Sequence, residues 1–381
     1  MEQKTYKKDN SFVGLSGIDT ETSDILKRIQ TMADRLDSYN WEDGQQELIM
    51  RAVSSLSAGK GNSEDNFWLR PHIVEEINRL SDEELPRYLY YRFRYDVFPS
   101  THELDAFPPC VQIEPTSVCN YRCVFCYQTD KKLTDSKAGH KGRMDLDLFK
   151  KIVDQIHGRV EAVTLASRGE PLLAKDIVKM LEYASGKFLG LKVNTNAWYL
   201  TEEKIHALLS AEPNTVVFSA DAADDELYAK LRVNGRLDKV LKNVQMFSDI
   251  KAKHYSQSRT ITRVSGVKFS DQQDFDKIES FWKDYVDQVA FVDYNPWESV
   301  YDAEATNVSQ PCSDLWRRLF VWWDGRINPC DVDYLSSLAV GNVKDKDISE
   351  LWTGEGYDML RQQHLAGNRD KLMPCVNCSL V

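Results

Sequence analysis

No apolar run in this 381-residue chain approaches the ~18–20 residues that a membrane-spanning helix requires, and no membrane partner is expected. The opening segment, MEQKTYKKDNSF, lacks the apolar core of a secretory signal, so a cytoplasmic location is expected. Basic residues are outnumbered: 48 Lys and Arg against 59 Asp and Glu leave a net charge of −11, with no basic stripe. A nucleic-acid partner is therefore not expected. The seven histidines form no group at metal-ligand spacing. Internal repeats and low-complexity tracts are absent. Apolar content of 42% and charged content of 28% are ordinary for a globular chain. They exclude a wholly disordered, collagen-like or small disulfide-scaffold protein.

Cysteine is also scarce, eight in all, but its placement is informative. A reducing compartment disfavours disulfides and points the thiols toward metal or catalytic roles. Cys119, Cys123 and Cys126 form a tight triplet, and Cys312, Cys330, Cys375 and Cys378 a second group far downstream. Two separate metal sites are expected. Cys110 stands apart and reads as a buried core thiol.

The length is roughly two to three times the ~150-residue prior for one domain. Residues 1–17 read as flexible. Residues 18–105 read as helical: Ile25, Ile29, Met32 and Leu36 recur at helical spacing, AGKGNSEDN (58–66) reads as a loop, and the aromatic-rich PRYLYYRFRYDVF reads as a packing segment. From about residue 108, short β-branched runs alternate with amphipathic stretches. Predicted strands are Cys110–Glu114, Val160–Leu165, Leu191–Asn194, Thr215–Ser219, Thr260–Val267 and Gln288–Asp293. Six strand–helix units argue for a parallel sheet curled by right-handed crossovers into part of a barrel. Chemistry in such folds sits where strands end. After about residue 300 the alternation stops, and LFVWWDGRINPC reads as a hairpin turning on two residues, Asp324 and Gly325.

The triplet lies in EPTSVCNYRCVFCYQ, spaced C-x3-C-x2-C after the first predicted strand. Three thiolates on one loop can hold three irons of a cubane [4Fe–4S] cluster, which normally takes four cysteines. The fourth iron is then open to a substrate or cofactor. An incomplete zinc site and a structural cluster with a remote fourth ligand are the alternatives. On this pattern the chain resembles the radical S-adenosylmethionine (SAM) superfamily, whose signature is C-x3-C-x-aromatic-C, with Phe125 as the aromatic. The resemblance implies that SAM chelates the open iron. An electron, supplied through a reductase with flavodoxin or ferredoxin, then cleaves SAM to a 5′-deoxyadenosyl radical that takes hydrogen from the substrate.

Other segments fit the resemblance. Ser167-Arg168-Gly169-Glu170-Pro171 is similar to the family's Gly-Gly-Glu-Pro motif, which implies that Gly169 and Glu170 meet the SAM ammonium. Arg168 stands where the family has its first glycine. Asn194-Thr195-Asn196, Asn194 foremost, would bond the ribose hydroxyls. Ser219 and Asp221 resemble the family's Ser-x-Asp segment. Arg232 stands where the family often carries an arginine for the SAM carboxylate.

Cys312 and Cys330 frame C-x12-G-x4-C, and Cys375 and Cys378 close with C-x2-C. Four such thiolates suit tetrahedral zinc or a fully ligated iron–sulfur cluster. With the WDGRINPC hairpin, the GNV turn and the SELW helix, this part resembles the family's SPASM/twitch extension. Four ligands before Val381 imply the shorter twitch form with one auxiliary [4Fe–4S] cluster, zinc being the alternative. A fully ligated cluster is suited to relaying one electron from a substrate radical.

The expected architecture is α/β: a flexible segment (1–17), an N-terminal helical region (18–105), a partial (β/α)6 TIM-like barrel (106–300) and a small twitch/SPASM-like module (301–381). Arg263, on the fifth strand, is the candidate catalytic residue. Asp293, Tyr294 and Glu298 are candidate substrate contacts, and KAGHKGR (137–143) reads as a solvated basic loop. The expected activity is SAM-dependent oxidation of a small sugar- or cyclitol-type alcohol. The alternatives are modification of a ribosomally made peptide, redox-neutral epimerisation, and a non-catalytic zinc or redox-binding protein.

Overall fold

The computed structural model describes residues 5–6, 22–39, 41, 44–61 and 66–381. Six strands, β1 (Cys110–Ile113), β2 (Ala162–Leu165), β3 (Gly190–Thr195), β4 (Thr215–Ser219), β5 (Ile261–Lys268) and β6 (Gln288–Asp293), pair in parallel and in chain order. This is the partial barrel expected from the alternating pattern. Helices Leu146–Ile156, Ile177–Ala184, Glu202–Ala211, Leu237–His254 and Phe275–Trp282 fill the crossovers. Several begin where a side chain caps the first turn: Asp145 accepts from Leu148 N at 2.8 Å and Asp274 from Lys277 N at 3.0 Å. Outward strand residues such as Val111, Val163, Val193 and Val264 join the helices in one apolar core.

The sheet does not stop at six strands. From the C-terminal module, β7 (Arg318–Val321) pairs in parallel with β1. β8 (Arg326–Asn328) and β9 (Gly341–Asn342) continue antiparallel. The module is thus built onto the barrel sheet at β1, the strand that leads into the cysteine triplet. Its hairpin departs from the expected two-residue turn. Trp322 N donates to Arg326 O, and Gly325 N to Trp322 O, each at 2.9 Å. The loop is therefore three residues, Trp323 to Gly325, with Gly325 left-handed at φ +88°. A right-twisted hairpin closes readily on such a loop because glycine takes the left-handed position without a Cβ clash.

Helices Ser23–Ala33, Gln45–Ala58, Pro71–Asn78 and Leu85–Thr101 form a second core, which Cys110 and Ala162 join from the first residues of β1 and β2. Arg87 grips Glu161, just before β2, through two 2.7 Å bonds. The helical region therefore covers the barrel end away from the strands' C-termini. Most of segment 1–17 lies outside the described residues, but Tyr6 bridges to Leu380. Among the described residues no helix is long and apolar enough to cross a membrane.

Candidate active site and cofactor cavity

The loops at the C-terminal strand ends enclose an open cavity with about 1100 Å³ of empty space, counting the part open to solvent. Cys119, Cys123 and Cys126 line it together, as do Phe125, Gly169, Glu170, Asn194, Ser219 and Arg232. The cavity sits there because parallel strands deliver all their following loops to one end. Burial pushes the Cys119 thiol up to about 12 and raises those of Cys123 and Cys126. Thiols in such surroundings give up their protons when a metal takes their place.

Arg232 reaches the triplet through a two-residue pairing of Arg122–Cys123 with Arg232–Val233. Its Nη1 lies 3.8 Å from Cys123 Sγ, and its Nε lies 2.5 Å from Asp221. Burial works against this guanidinium, but Asp221 outweighs it and holds the charge on. Asp221 is wholly buried behind the cavity and also accepts from Val267 N at 2.6 Å. It acts here by positioning Arg232.

The motif loop is held just as tightly. A Cβ added at Gly169 would stand 2.2 Å from Thr116 O and 2.7 Å from Val118 O, so only glycine lets this loop lie against the cysteine loop. Glu170 already accepts from Thr195 Oγ1 at 2.6 Å, Asn196 N at 2.7 Å and Leu172 N at 3.1 Å. With about four acceptor sites on a carboxylate, little is left for a ligand. Glu170 chiefly pins the loop to the end of β3. Its carboxyl is raised, burial being the main cause.

Two cavity-lining atoms test whether the site fits a bound polar molecule. Ser167 Oγ and Asn194 Oδ1 are buried with no protein partner, although buried polar atoms are almost always satisfied. Ser167 also holds a strained φ of +124°. These orphaned groups, the Gly169 cradle and the three thiols suit an iron–sulfur cluster with SAM.

Some expected members are elsewhere. Arg263 does not line this cavity. It points into the barrel, but near the start of β5, and its Nε donates to Gln288 Oε1 at 2.7 Å. Inward alternation was legible in the sequence, but depth along the strand was not; Ser265 and Val267, further along, are the β5 residues that reach the cavity. Asp293 pairs with Lys268 at 3.8 Å, and the Tyr294 hydroxyl donates to Glu298. None of these three lines the cavity, whereas Trp297 does. The 137–143 loop is not simply solvated. Lys141 turns inward to Ser117 O at 3.1 Å and Gln128 Oε1 at 2.5 Å, and burial pushes it down to about 8.

Three further residues stand at the site. Asn196 Nδ2 lies 4.0 Å from Cys119 Sγ. Gln128 ties Ser117 O to Arg168 O. Asp331, beside Cys330, lines the same cavity from the C-terminal module. Asn196 belongs to the Asn-Thr-Asn run already read as a ribose contact; the residues missed are Gln128 and Asp331, which carry no motif.

Cys312, Cys330, Cys375 and Cys378 converge on a second, smaller cavity. Arg369 stitches its walls together, donating to Gln310 O, Leu380 O and Cys378 O at 2.8–3.0 Å. Cys312 N donates to His364 Nδ1 at 3.1 Å, and burial, with Arg369, holds that imidazole down to about 3. His364 is thus a neutral acceptor. Among the described residues no group of His, Cys, Asp or Glu is arranged to hold a single metal ion. Four thiols lining one cavity suit a fully ligated iron–sulfur cluster.

Residues 113–280 match the Radical SAM superfamily, and residues 312–379 match SPASM, an iron–sulfur cluster-binding domain. Mycofactocin maturase MftC of Mycobacterium tuberculosis is 28% identical over 142 residues, 37% of this chain and only 34% of the maturase. The S-adenosyl-L-methionine-dependent 2-deoxy-scyllo-inosamine dehydrogenase of Niallia circulans is 22% identical over 275 residues, 71% of this chain and 92% of that protein. Among solved structures, Streptococcus suis SuiB bound to precursor peptide SuiA superposes with a TM-score of 0.56 at 16% identity, covering 89% of this chain and 79% of SuiB. That last likeness is one of fold.

Proposed function

We propose that this chain, which belongs to the radical SAM superfamily and carries a C-terminal SPASM iron–sulfur module, oxidises an alcohol of a small sugar- or cyclitol-type substrate. The observation that carries this reading is the similarity spanning 92% of the 2-deoxy-scyllo-inosamine dehydrogenase, against 34% of the mycofactocin maturase. The N-terminal region adds support: among the described residues before β1 no strand pairs into a peptide-binding ribbon.

In this reading Cys119, Cys123 and Cys126 hold the SAM-binding [4Fe–4S] cluster, and the downstream quartet holds one auxiliary cluster. When bound, the cluster and SAM supply a reducing electron and a carbon radical able to remove a hydrogen atom. The protein binds, orients and excludes water. Arg232, held by Asp221, offers a guanidinium to a carboxylate. Ser167 and Asn194 offer their unsatisfied oxygens to the amino and hydroxyl groups of the same ligand. Ser219 and Phe125 complete the wall. The C-terminal module brings Asp331, the neighbour of Cys330, to the cavity, so the residues that would hold its cluster come within one residue of the reaction space.

The test is anaerobic. Reconstituted protein with dithionite, SAM and a panel of sugars and cyclitols, with and without an anionic substituent, should form a ketone with one 5′-deoxyadenosine released per product. Recycled SAM with no oxidised product would redirect the reading to epimerisation. Peptide maturation is the second reading, favoured by the 28% identity to MftC, and a peptide product in place of a ketone would establish it.

A further inference from the structure

The barrel interior below the cofactor cavity is not an apolar core. Closed barrels of this kind fill that space mostly with Val, Ile and Leu. Here alternation sets Leu191 and Val193 outward into the main core, so Lys192 faces inward. By the same alternation Arg263 faces inward beside Val264, and Arg318 beside Leu319. All three cations remain partly accessible, although their strands lie inside the sheet. The outer face is covered by helices and core, so that accessibility is to the barrel interior.

Among the described residues the Lys192 ammonium has no hydrogen-bond or ion-pair partner. Arg263 Nε donates to Gln288 Oε1 at 2.7 Å, and Arg318 Nε to the Tyr95 hydroxyl at 3.0 Å, with Asp314 also acting on Arg318. Two acids of the helical region stand near these cations, Glu75 and Glu76 beside Arg263 and Glu76 beside Lys192; Glu75 also bonds Arg79 and Gln288, and Glu76 accepts from the Tyr88 hydroxyl at 2.6 Å. Burial, then Arg318 and Arg263, push the Lys192 ammonium down to about 8. An interior lysine held under such repulsion is a functional feature more than a stabilising one. Lys192 lies one inward position, about 6–7 Å of strand, below the cavity-lining Asn194.

We propose that the substrate carries an anionic group, a carboxylate or a phosphate ester, seated on Lys192 and flanked by Arg263 and Arg318. This rests on the reading that SAM fills the cavity above, which leaves the barrel interior to the substrate.

The test is calorimetric titration of the reconstituted holoenzyme, with SAM present to occupy Arg232. The probes are inorganic phosphate, acetate and, as a neutral control, glycerol. Phosphate or acetate should bind wild type and Lys192→Arg, weaken at least about tenfold in Lys192→Met, and glycerol should not bind. Binding of phosphate alone assigns a phosphate ester, and of acetate alone a carboxylate. Failure of both anions to bind wild type, or equal binding by Lys192→Met, overturns the proposal. The spectrum of the wild-type cluster on SAM addition tests the underlying reading separately. A silent spectrum with intact anion binding removes the SAM assignment and keeps the seat. A responsive spectrum without anion binding removes the seat alone.

Discussion

Arg168 and Glu114 form a buried two-pronged ion pair, with Nε and Nη2 of Arg168 at 2.8 and 2.6 Å from the two carboxylate oxygens. The side chains are 2% and 0% exposed. Arg168 Nη1 also donates to Tyr334 O at 2.9 Å, and the guanidinium lies 4.3 Å from the Trp322 ring centre. One side chain thus joins the end of β1, the motif loop and the C-terminal module. The residue that departs from Gly-Gly-Glu-Pro does not spoil the loop, because its guanidinium is taken up by Glu114 and Tyr334 O and fastens the two halves of the molecule.

Replacing Arg168 by Met leaves the Glu114 carboxylate buried without its counter-charge. Breaking a buried pair from one side costs about 3–5 kcal/mol. Urea unfolding should show a loss of that order, and Glu114→Gln combined with Arg168→Met should lose clearly less than the sum of the singles. Additive losses would mean that the pair does not act as a unit.

Two cubane clusters amount to about eight irons per chain. Cys123→Ser should bring anaerobically reconstituted protein to about four irons and abolish SAM cleavage. Cys375→Ser should also bring it to about four but spare the SAM-induced spectral change. Zinc bound to the quartet in place of iron would refute the auxiliary cluster, and metal analysis decides it directly.

Gly169→Ala places a methyl group into backbone atoms of residues 116–118 rather than into a yielding side chain. The motif loop must then part from the cysteine loop, where Glu170 N donates to Val118 O at 2.9 Å. Equilibrium binding should show SAM affinity reduced at least about tenfold, near 1.4 kcal/mol. Unchanged affinity would show that the close approach is incidental.

Lys192 gives a pH signature. Its ammonium titrates near 8 in the folded protein against an ordinary value of 10.5, so the folded state holds this proton more weakly than the unfolded state. Stability should rise with pH across that window, and the penalty is fully present below pH 8. Lys192→Met should therefore be more stable than wild type at pH 7, by at most about 3 kcal/mol, with the gap closing toward pH 10.5. Parallel unfolding curves from pH 7 to 10 check it, and a gap that does not narrow contradicts the buried charge.

The barrel was legible because strand and helix periods differ, and each predicted strand from Cys110 to Asp293 appears within a few residues of its expected bounds. The triplet was legible because its ligands share one loop, and spacing along a loop is spacing in space. Glu114 and Arg168 are 54 residues apart, and Arg168 and Tyr334 are 166 apart. No local pattern marks such partners. The hairpin turn differed for a related reason: Asp-Gly signals a turn, while strand pairing sets whether Trp323 belongs to it.

Local order, then, was written into the chain: alternation of apolar residues, thiols at fixed intervals, glycine where a side chain would collide. Depth was not. Period two tells that Lys192 faces the same side as Asn194 and Arg263 the same side as Ser265, yet only the folded barrel sets which of them reaches the cofactor loops and which lies beneath. Charge compensation followed the same divide. Whether Asp221 meets a ligand or holds Arg232, and whether Arg168 disrupts a loop or fastens it, depends on atoms brought together by folding from distant parts of the sequence.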